Sequence, residues 1–176
     1  MSIKEIITYP IKDLQDSIRN KTISVEELTN LHINQIKSVN QSLNAVVQNS
    51  FDSAIKTAKF MDNNFNDSNT KPLFGLPFTL KDSVDTKGII STWGTEGRTN
   101  FIPKHNATVA ERLINAGGIL MGKTNTPEFT MGGETDNVPY GRTNNPYNLN
   151  FTTGGSSGGA AAIISACGSV FDLGTD

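Results

Sequence analysis

The stretch that decides how this chain is interpreted is GGSSGG at residues 154–159, which runs directly into AAAII at residues 160–164. Its glycines let the backbone adopt positive φ angles and approach a ligand without an intervening Cβ atom. The small apolar residues that follow predict a buried helix, whose unpaired N–H groups point toward Ser156 and Ser157. Such a loop can polarise a carbonyl group or hold an anion. A flexible Gly/Ser linker is the alternative, but such linkers rarely continue straight into an apolar run.

The composition is that of an ordinary globular protein. The 176 residues are 36% hydrophobic and 18% charged, with a net charge of −2. This balance gives no electrostatic reason to expect nucleic acid or an anionic membrane as a partner. The N-terminus lacks the pattern of a signal peptide, and no apolar run reaches the ~18 residues of a membrane span. We therefore expect a cytoplasmic protein, in which the single cysteine, Cys167, is a buried and inert thiol.

Glycine usage divides the chain into two parts. All 16 glycines lie at or after Gly75, so residues 1–70 predict a mainly helical lead-in and residues 71–176 a turn-rich core within the same domain. In the lead-in, Ser24 and Glu27 form a capping-box pattern before a helix that runs to about Asn40. The other elements predicted there are a helix over 11–18, a strand at 45–47, a helix over 51–61 and a loop over 62–70.

Strand-like and helix-like segments alternate in the second part. Apolar strands are predicted at 77–81, 119–121 and 170–173. A helix over 107–116, capped by Asn106 and ended by Gly117, separates the first two strands, and the Ala-rich helix precedes the third. A short helix is expected to start near Pro127. This alternation predicts an α/β fold, in which helices pack over a sheet.

A phosphate-loop pattern is present but lacks its structural context. Gly117, Gly122, Lys123 and Thr124 satisfy G-x-x-x-x-G-K-[ST]. The residues between the two glycines are themselves an expected strand, whereas a phosphate loop wraps its N–H groups around an anion between a strand and a long helix. A nucleotide-binding module is therefore kept only as an alternative function of a different class.

Lys81 is the sharpest candidate for a base. The two histidines, His32 and His105, are dispersed, and together with one cysteine they give no zinc-ligand spacing and predict no metal. Lys81 ends an apolar strand, where desolvation can lower its pKa enough for a neutral amine to accept a proton. A Ser–Lys pair is a known replacement for Ser–His. A solvated lysine at a strand end is the alternative, since sequence distance does not show that Lys81 reaches Ser156.

Three segments of the chain resemble the amidase signature family, in the correct order. GLPFTLKD at 75–82 is similar to that family's lysine-bearing segment, and GKTNTPEF at 122–129 is similar to its next block. GRTNNPY at 141–147, which leads into GGSSGG, resembles the signature itself. The resemblance implies an incomplete form of the family's fold, a mixed sheet covered by helices. It also implies a hydrolase of small-molecule amides that needs no cofactor, and it is compatible with a homodimer of the full-length protein.

The resemblance implies roles for individual residues, because the family is known for a Ser–cis-Ser–Lys triad. Lys81 matches the base, and Ser156 matches the bridging serine, whose preceding peptide bond is cis in the family. Ser157 is expected to form hydrogen bonds within its loop. The remaining matches are the segment that lines the acyl pocket, Met131, Gly132 and Gly133, and a structural acid in a Gly-Thr-Asp motif, Asp176.

The family's nucleophilic serine and its oxyanion-hole donors follow the Gly-Thr-Asp motif, beyond Asp176. We therefore expect residues 1–176 alone to lack amidase activity. An alternative within the family is the amidase subunit of a glutamyl-tRNA(Gln) amidotransferase, which releases ammonia from glutamine. The segments KTNTPEF at 123–129 and ETDN at 134–137 favour a stand-alone amidase, since the transfer subunit usually has Met-Asp in place of Thr-Pro.

Overall fold

The computed structural model describes residues 3–65 and 71–175. Within them the helices are α1 (Ile11–Arg19), α2 (Val25–Leu43), α3 (Phe51–Asn63), α4 (Thr108–Asn115) and α5 (Gly158–Ser165). The strands are β1 (Val46–Asn49), β2 (Pro77–Lys81), β3 (Ile119–Thr124), β4 (Asn144–Asn145), β5 (Asn148–Thr152) and β6 (Phe171–Leu173). In this described part of the chain, no helix has the length and apolarity needed to cross a bilayer.

Four of the strands form one mixed sheet in the order β1-β3-β2-β6. β2 runs parallel to β3 and to β6, while β1 is antiparallel to β3. The chain passes from β2 to β3 through α4, a crossover that parallel neighbours require. The α/β fold expected from the alternation of segments is therefore confirmed.

Helices cover both faces of this sheet. Side chains of α2, α3 and α5 form the larger buried cluster with Leu76, Ile119 and Met121 from the strand region. On the other face, Phe78 and Leu80 of β2 pack with Ala110 of α4. Since side chains of a strand alternate between faces, Thr79 and Lys81 point away from the α4 side.

The capping box predicted before α2 is confirmed. The Ser24 hydroxyl accepts a hydrogen bond from the Glu27 N–H at 3.0 Å, and the Glu27 carboxylate accepts one from the Ser24 N–H at 2.9 Å. The hydrogen bonds that the Ser24 N–H and hydroxyl donate to the carboxylate lower the pKa of Glu27. The helix continues to Leu43 and ends at Asn44, whose φ of 51° is left-handed.

Several predicted boundaries were wrong. Asn106 does not cap α4, because its side-chain oxygen accepts the Lys87 N–H at 2.8 Å, and the helix starts at Thr108. β3 extends three residues past the expected end, since Gly122 to Thr124 pair with strands on both sides. Near Pro127 only a single 3-10 turn forms, at Glu128–Thr130.

Three further differences concern the lead-in loop, an exposed hairpin and the single cysteine. Residues 62 and 63 of the predicted loop belong to α3, and residues 66–70 lie outside the described part. The two-stranded sheet of β4 and β5 was not predicted. Cys167 is half-buried rather than buried.

Candidate active site

Lys81 and Ser156 meet at the C-terminal end of β2. The Lys81 side chain is fully buried. Its Nζ lies 2.6 Å from Ser156 Oγ, 3.0 Å from Ser157 Oγ and 2.8 Å from Thr175 Oγ1. The alternative of a solvated lysine at a strand end is therefore wrong. The expected neighbour of Lys81 is in place, and Thr175 is a contact that the sequence did not predict.

Burial lowers the pKa of Lys81 to about 8, and the negative charge of Asp172 partly opposes this shift. An ammonium group has three donors and no acceptor. A neutral amine has a lone pair, so it can accept a proton from one hydroxyl while it donates to the others. Three hydroxyl neighbours suit both states, which is what a group that takes and returns a proton requires.

The loop that carries Ser156 is fixed by its neighbours. The Gly155–Ser156 peptide bond is cis, and Thr126 Oγ1 donates to the Ser156 carbonyl oxygen at 2.9 Å. Ser157 does not form its side-chain bonds within the loop as expected, because its Oγ contacts Lys81 and accepts the Thr175 N–H at 3.2 Å. Both hydroxyls of the serine pair therefore face the lysine.

The 131–135 segment packs against the Gly/Ser loop. A Cβ atom on Gly155 would lie 2.5 Å from the Gly132 carbonyl oxygen, so only glycine fits there. Thr135 Oγ1 donates to the Gly154 carbonyl oxygen and accepts the Gly158 N–H, each at 2.9 Å. Met131 is 88% exposed, and Gly133 also has open space beside it.

Two buried asparagines, Asn125 and Asn137, link the end of β3 to the segment 137–143. Asn125 donates from Nδ2 to the Gly141 carbonyl oxygen and to Thr143 Oγ1. Its Oδ1 accepts a bond from Asn137 Nδ2 at 2.7 Å. Sequence reasoning did not single out these residues, although an asparagine directly after a buried strand is a usable signal. Asp176 lies outside the described residues.

The phosphate-loop pattern belongs to the sheet. Lys123 is fully buried in β3, and its Nζ donates to the Val84 carbonyl oxygen and to Ser91 Oγ. Burial lowers its pKa to about 8. An amine held by protein acceptors inside a strand is not available to a phosphate, so these residues do not form a phosphate loop. In the described ranges, no cluster of three or more His, Cys, Asp or Glu side chains is placed to hold a metal ion.

Asp172 of β6 was also missed. Its Oδ2 accepts hydrogen bonds from Thr79 Oγ1 at 2.6 Å and from Thr124 Oγ1 at 3.0 Å. Burial raises the pKa of this carboxyl group. The only signal in the sequence is an acidic residue inside a short predicted strand.

Comparison with known proteins assigns the chain to a family. The family model described as Amidase matches residues 27–176. A glutamyl-tRNA(Gln) amidotransferase subunit from Caldanaerobacter subterraneus subsp. tengcongensis is 36% identical over 172 residues, which are 98% of this chain and 35% of that protein. The chain thus spans about a third of the length of the curated relatives it matches.

Solved structures give the same result. The structure of a fatty acid amide hydrolase matches with a TM-score of 0.92 and 27% identity, covering 97% of this chain and 30% of that one. The structure of a 6-aminohexanoate cyclic dimer hydrolase complexed with substrate matches with a TM-score of 0.81 and 32% identity, covering 93% of this chain and 33% of that one.

Proposed function

This chain belongs to the amidase family, and from that premise we propose that the protein hydrolyses a carboxylic amide with Lys81 as base and Ser156 as bridging serine. The observation that carries this proposal is the 2.6 Å contact between Lys81 Nζ and Ser156 Oγ at a fully buried lysine. The hydrolase names of its structural relatives support hydrolysis of a C–N bond.

The proposed steps need proton transfers and a nucleophile. Neutral Lys81 accepts the proton of Ser156 Oγ, and Ser156 in turn accepts one from a nucleophilic serine, which attacks the amide carbonyl. Backbone N–H groups stabilise the oxyanion. The relay then returns a proton to the departing amine, and water cleaves the acyl-enzyme. The resemblance puts the nucleophilic serine in a Gly-Gly-Ser motif after Asp176, so we propose that residues 1–176 alone do not turn over.

The base assignment is tested in the full-length protein with the substitution Lys81→Met. Turnover of aryl amides should fall by about a thousandfold or more, since removing a member of a catalytic relay typically costs orders of magnitude. Lys87→Met is the matched control, because Lys87 is exposed. Retention of turnover by Lys81→Met, with the control unchanged, would refute the role of Lys81.

The claim about the nucleophile has its own test. Residues 1–176 mixed with an activated ester should show no burst of released alcohol and no acyl adduct in the mass spectrum of the intact chain. Stoichiometric acylation of a serine within these residues would contradict the proposal.

A second candidate is the glutamine-hydrolysing subunit of an amidotransferase. It is supported by the curated relatives named as glutamyl-tRNA(Gln) amidotransferase subunits, at 36–39% identity. The segments KTNTPEF at 123–129 and ETDN at 134–137 favour the stand-alone enzyme. Purified full-length protein should hydrolyse simple amides by itself if it is a stand-alone amidase. Hydrolysis of glutamine alone, dependent on added partner proteins, would identify the amidotransferase component instead.

A further inference from the structure

Asp172 is a buried carboxylate that the proposed relay leaves without a role. It lies in the middle of β6 and pairs in register with Thr79 of β2. Its Oδ2 is held by the hydroxyls of Thr79 and Thr124, while its Oδ1 is buried and has no hydrogen-bond partner among the described residues. A buried carboxylate oxygen without a donor is costly, so a reason for its presence at this place is needed.

The geometry of the sheet relates Asp172 to Lys81. Thr79 and Lys81 are two residues apart on β2 and therefore share a face. Thr124, which donates to Asp172, is the register partner of Lys81 on β3. The Asp172 carboxylate thus accepts hydrogen bonds from Thr79, which lies on the same strand as Lys81, and from Thr124, which pairs with Lys81.

The contacts of Lys81 show how the carboxylate can act. The amine hydrogen-bonds to three hydroxyl groups, those of Ser156, Ser157 and Thr175, and none of these three bonds involves Asp172. Asp172 acts on Lys81 through its charge, which raises the pKa of the lysine against the effect of burial.

Other charged groups near this pair have their own partners. Lys123 of β3 acts on Asp172 by charge, but its amine donates to Val84 and Ser91. Asp82, which follows Lys81, accepts the Thr92 N–H and hydroxyl with Oδ2 and acts by charge on Lys123, while its Oδ1 is buried without a hydrogen-bond partner among the described residues. Asp85 is paired with Arg98 at 2.8 Å.

We propose that Asp172 is a positioning residue for the base: its charge stabilises the ammonium group that forms when Lys81 Nζ takes the proton of Ser156 Oγ. In this step the Ser156 O–H bond breaks, an N–H bond forms on Lys81, and the new positive charge faces the fixed carboxylate. Burial favours the neutral amine and lowers its proton affinity, and the charge of the carboxylate partly opposes this effect. The inference rests on the proposed role of Lys81 as base.

The coupling is measured directly by NMR titration of the Lys81 side chain in lysine-labelled protein, with the signal assigned by its loss in Lys81→Met. In Asp172→Asn the midpoint should move to lower pH by about one unit, because a nearby opposite charge favours the charged amine. Asp52→Asn, which removes an exposed carboxylate on α3, should leave it unchanged. Equal midpoints in Asp172→Asn and Asp52→Asn would overturn the inference.

Thr124→Val provides a second variant if Asp172→Asn does not fold. It removes one donor from the carboxylate without changing the side-chain shape, so Asp172 ionises less readily. The Lys81 midpoint should then move in the same direction by a smaller amount. An unmoved midpoint in Thr124→Val would overturn the inference in that case.

An activity measurement separates this inference from the proposed function. In full-length protein, the low-pH limb of kcat/KM should shift in Asp172→Asn by as much as the NMR midpoint. A shifted NMR midpoint in a protein whose turnover does not depend on Lys81 would refute the proposed function and leave the charge coupling standing. Turnover that depends on Lys81, together with an unmoved midpoint in Asp172→Asn, would refute the role of Asp172 alone.

Discussion

Two buried lysines of this protein, Lys81 and Lys123, have the same lowered pKa of about 8 but different chemistry. Lys123 donates to the Val84 carbonyl oxygen, which can only accept, and to Ser91 Oγ, whose own proton is donated to the Ile89 carbonyl oxygen. Lys81 has hydroxyl partners, which can both accept and donate a proton. The type of neighbour, rather than the degree of burial, therefore distinguishes the candidate base from the structural lysine.

The pKa of Lys81 predicts how the proposed reaction depends on pH. A base must be neutral to accept a proton, and with a pKa of about 8 roughly one tenth of Lys81 is neutral at pH 7. In full-length protein, kcat/KM should therefore rise about tenfold per pH unit below pH 8 and level off above it. A profile that is flat from pH 6 to pH 9 would contradict this assignment.

The site could be predicted where its residues stand in contiguous motifs. Lys81 follows an apolar strand, and Ser156 stands among glycines before a small apolar helix, so each is visible locally. Asp172 and Thr175 were not, because their contacts with Thr79 and Lys81 cross 93 and 94 residues of sequence. Such contacts arise only when β6 pairs with β2, and no local pattern encodes that pairing.

Among the elements, those with a buried face were predicted and those without one were not. β2 is buried at every position, and its apolar residues identify it. β5 is exposed at every position, although its sequence, NLNFT, alternates polar and apolar residues and could have indicated a strand. The predicted end of β3 was wrong for a different reason, since Gly122 to Thr124 form a strand only through their pairing with β1 and β2.

Helix α5 depends on small residues at its start. Gly159 packs so closely on the end of β3 that an added Cβ atom would lie 2.7 Å from the Asn125 carbonyl oxygen and 2.8 Å from that of Ala45. These are backbone atoms, which cannot rotate away. The position of α5, and with it that of Ser156 and Ser157, is thus set by direct backbone contact.

Gly159→Ala should therefore destabilise the protein by about 1–3 kcal/mol, the usual cost of overpacking a well-packed site. Urea denaturation measures the change as a lower midpoint at unchanged slope. Gly97→Ala is the matched control, because a Cβ atom on Gly97 would meet nothing within 4 Å. Equal midpoints for the two variants would show that α5 can shift without loss of stability.

On the scale of the whole molecule, α2 ties the far end of α5 to the core. Gln35 Nε2 donates to the Ala166 carbonyl oxygen at 2.7 Å, and His32 Nδ1 lies 3.1 Å from that of Cys167. Carbonyl groups at a helix C-terminus lack hydrogen-bond partners within the helix. The side chains of Gln35 and His32 act as those partners. The helix that begins at the serine pair is therefore held at both ends, by β3 and by α2.

His32 makes this arrangement sensitive to acid. It is fully buried, and its Nε2 has no hydrogen-bond partner within residues 3–65 and 71–175. Burial lowers its pKa from 6.5 to about 4, against the opposing effect of the bonds to Cys167 and Gly168. Between these values the unfolded chain binds a proton that the folded protein does not, so stability falls as the pH falls.

The free energy of unfolding should decrease by about 3 kcal/mol from pH 7 to pH 4 through this histidine alone. Carboxyl groups titrate in the same range, so the informative quantity is the difference between wild type and His32→Gln, measured by urea denaturation at each pH. The difference in the free energy of unfolding between wild type and His32→Gln should change by about 3 kcal/mol between pH 7 and pH 4. His105→Gln, which alters an exposed histidine, should follow the wild type. Parallel stability curves for wild type and His32→Gln would mean that His32 takes up its proton equally well in the folded and unfolded states, and the link between α2 and α5 would not depend on its neutral form.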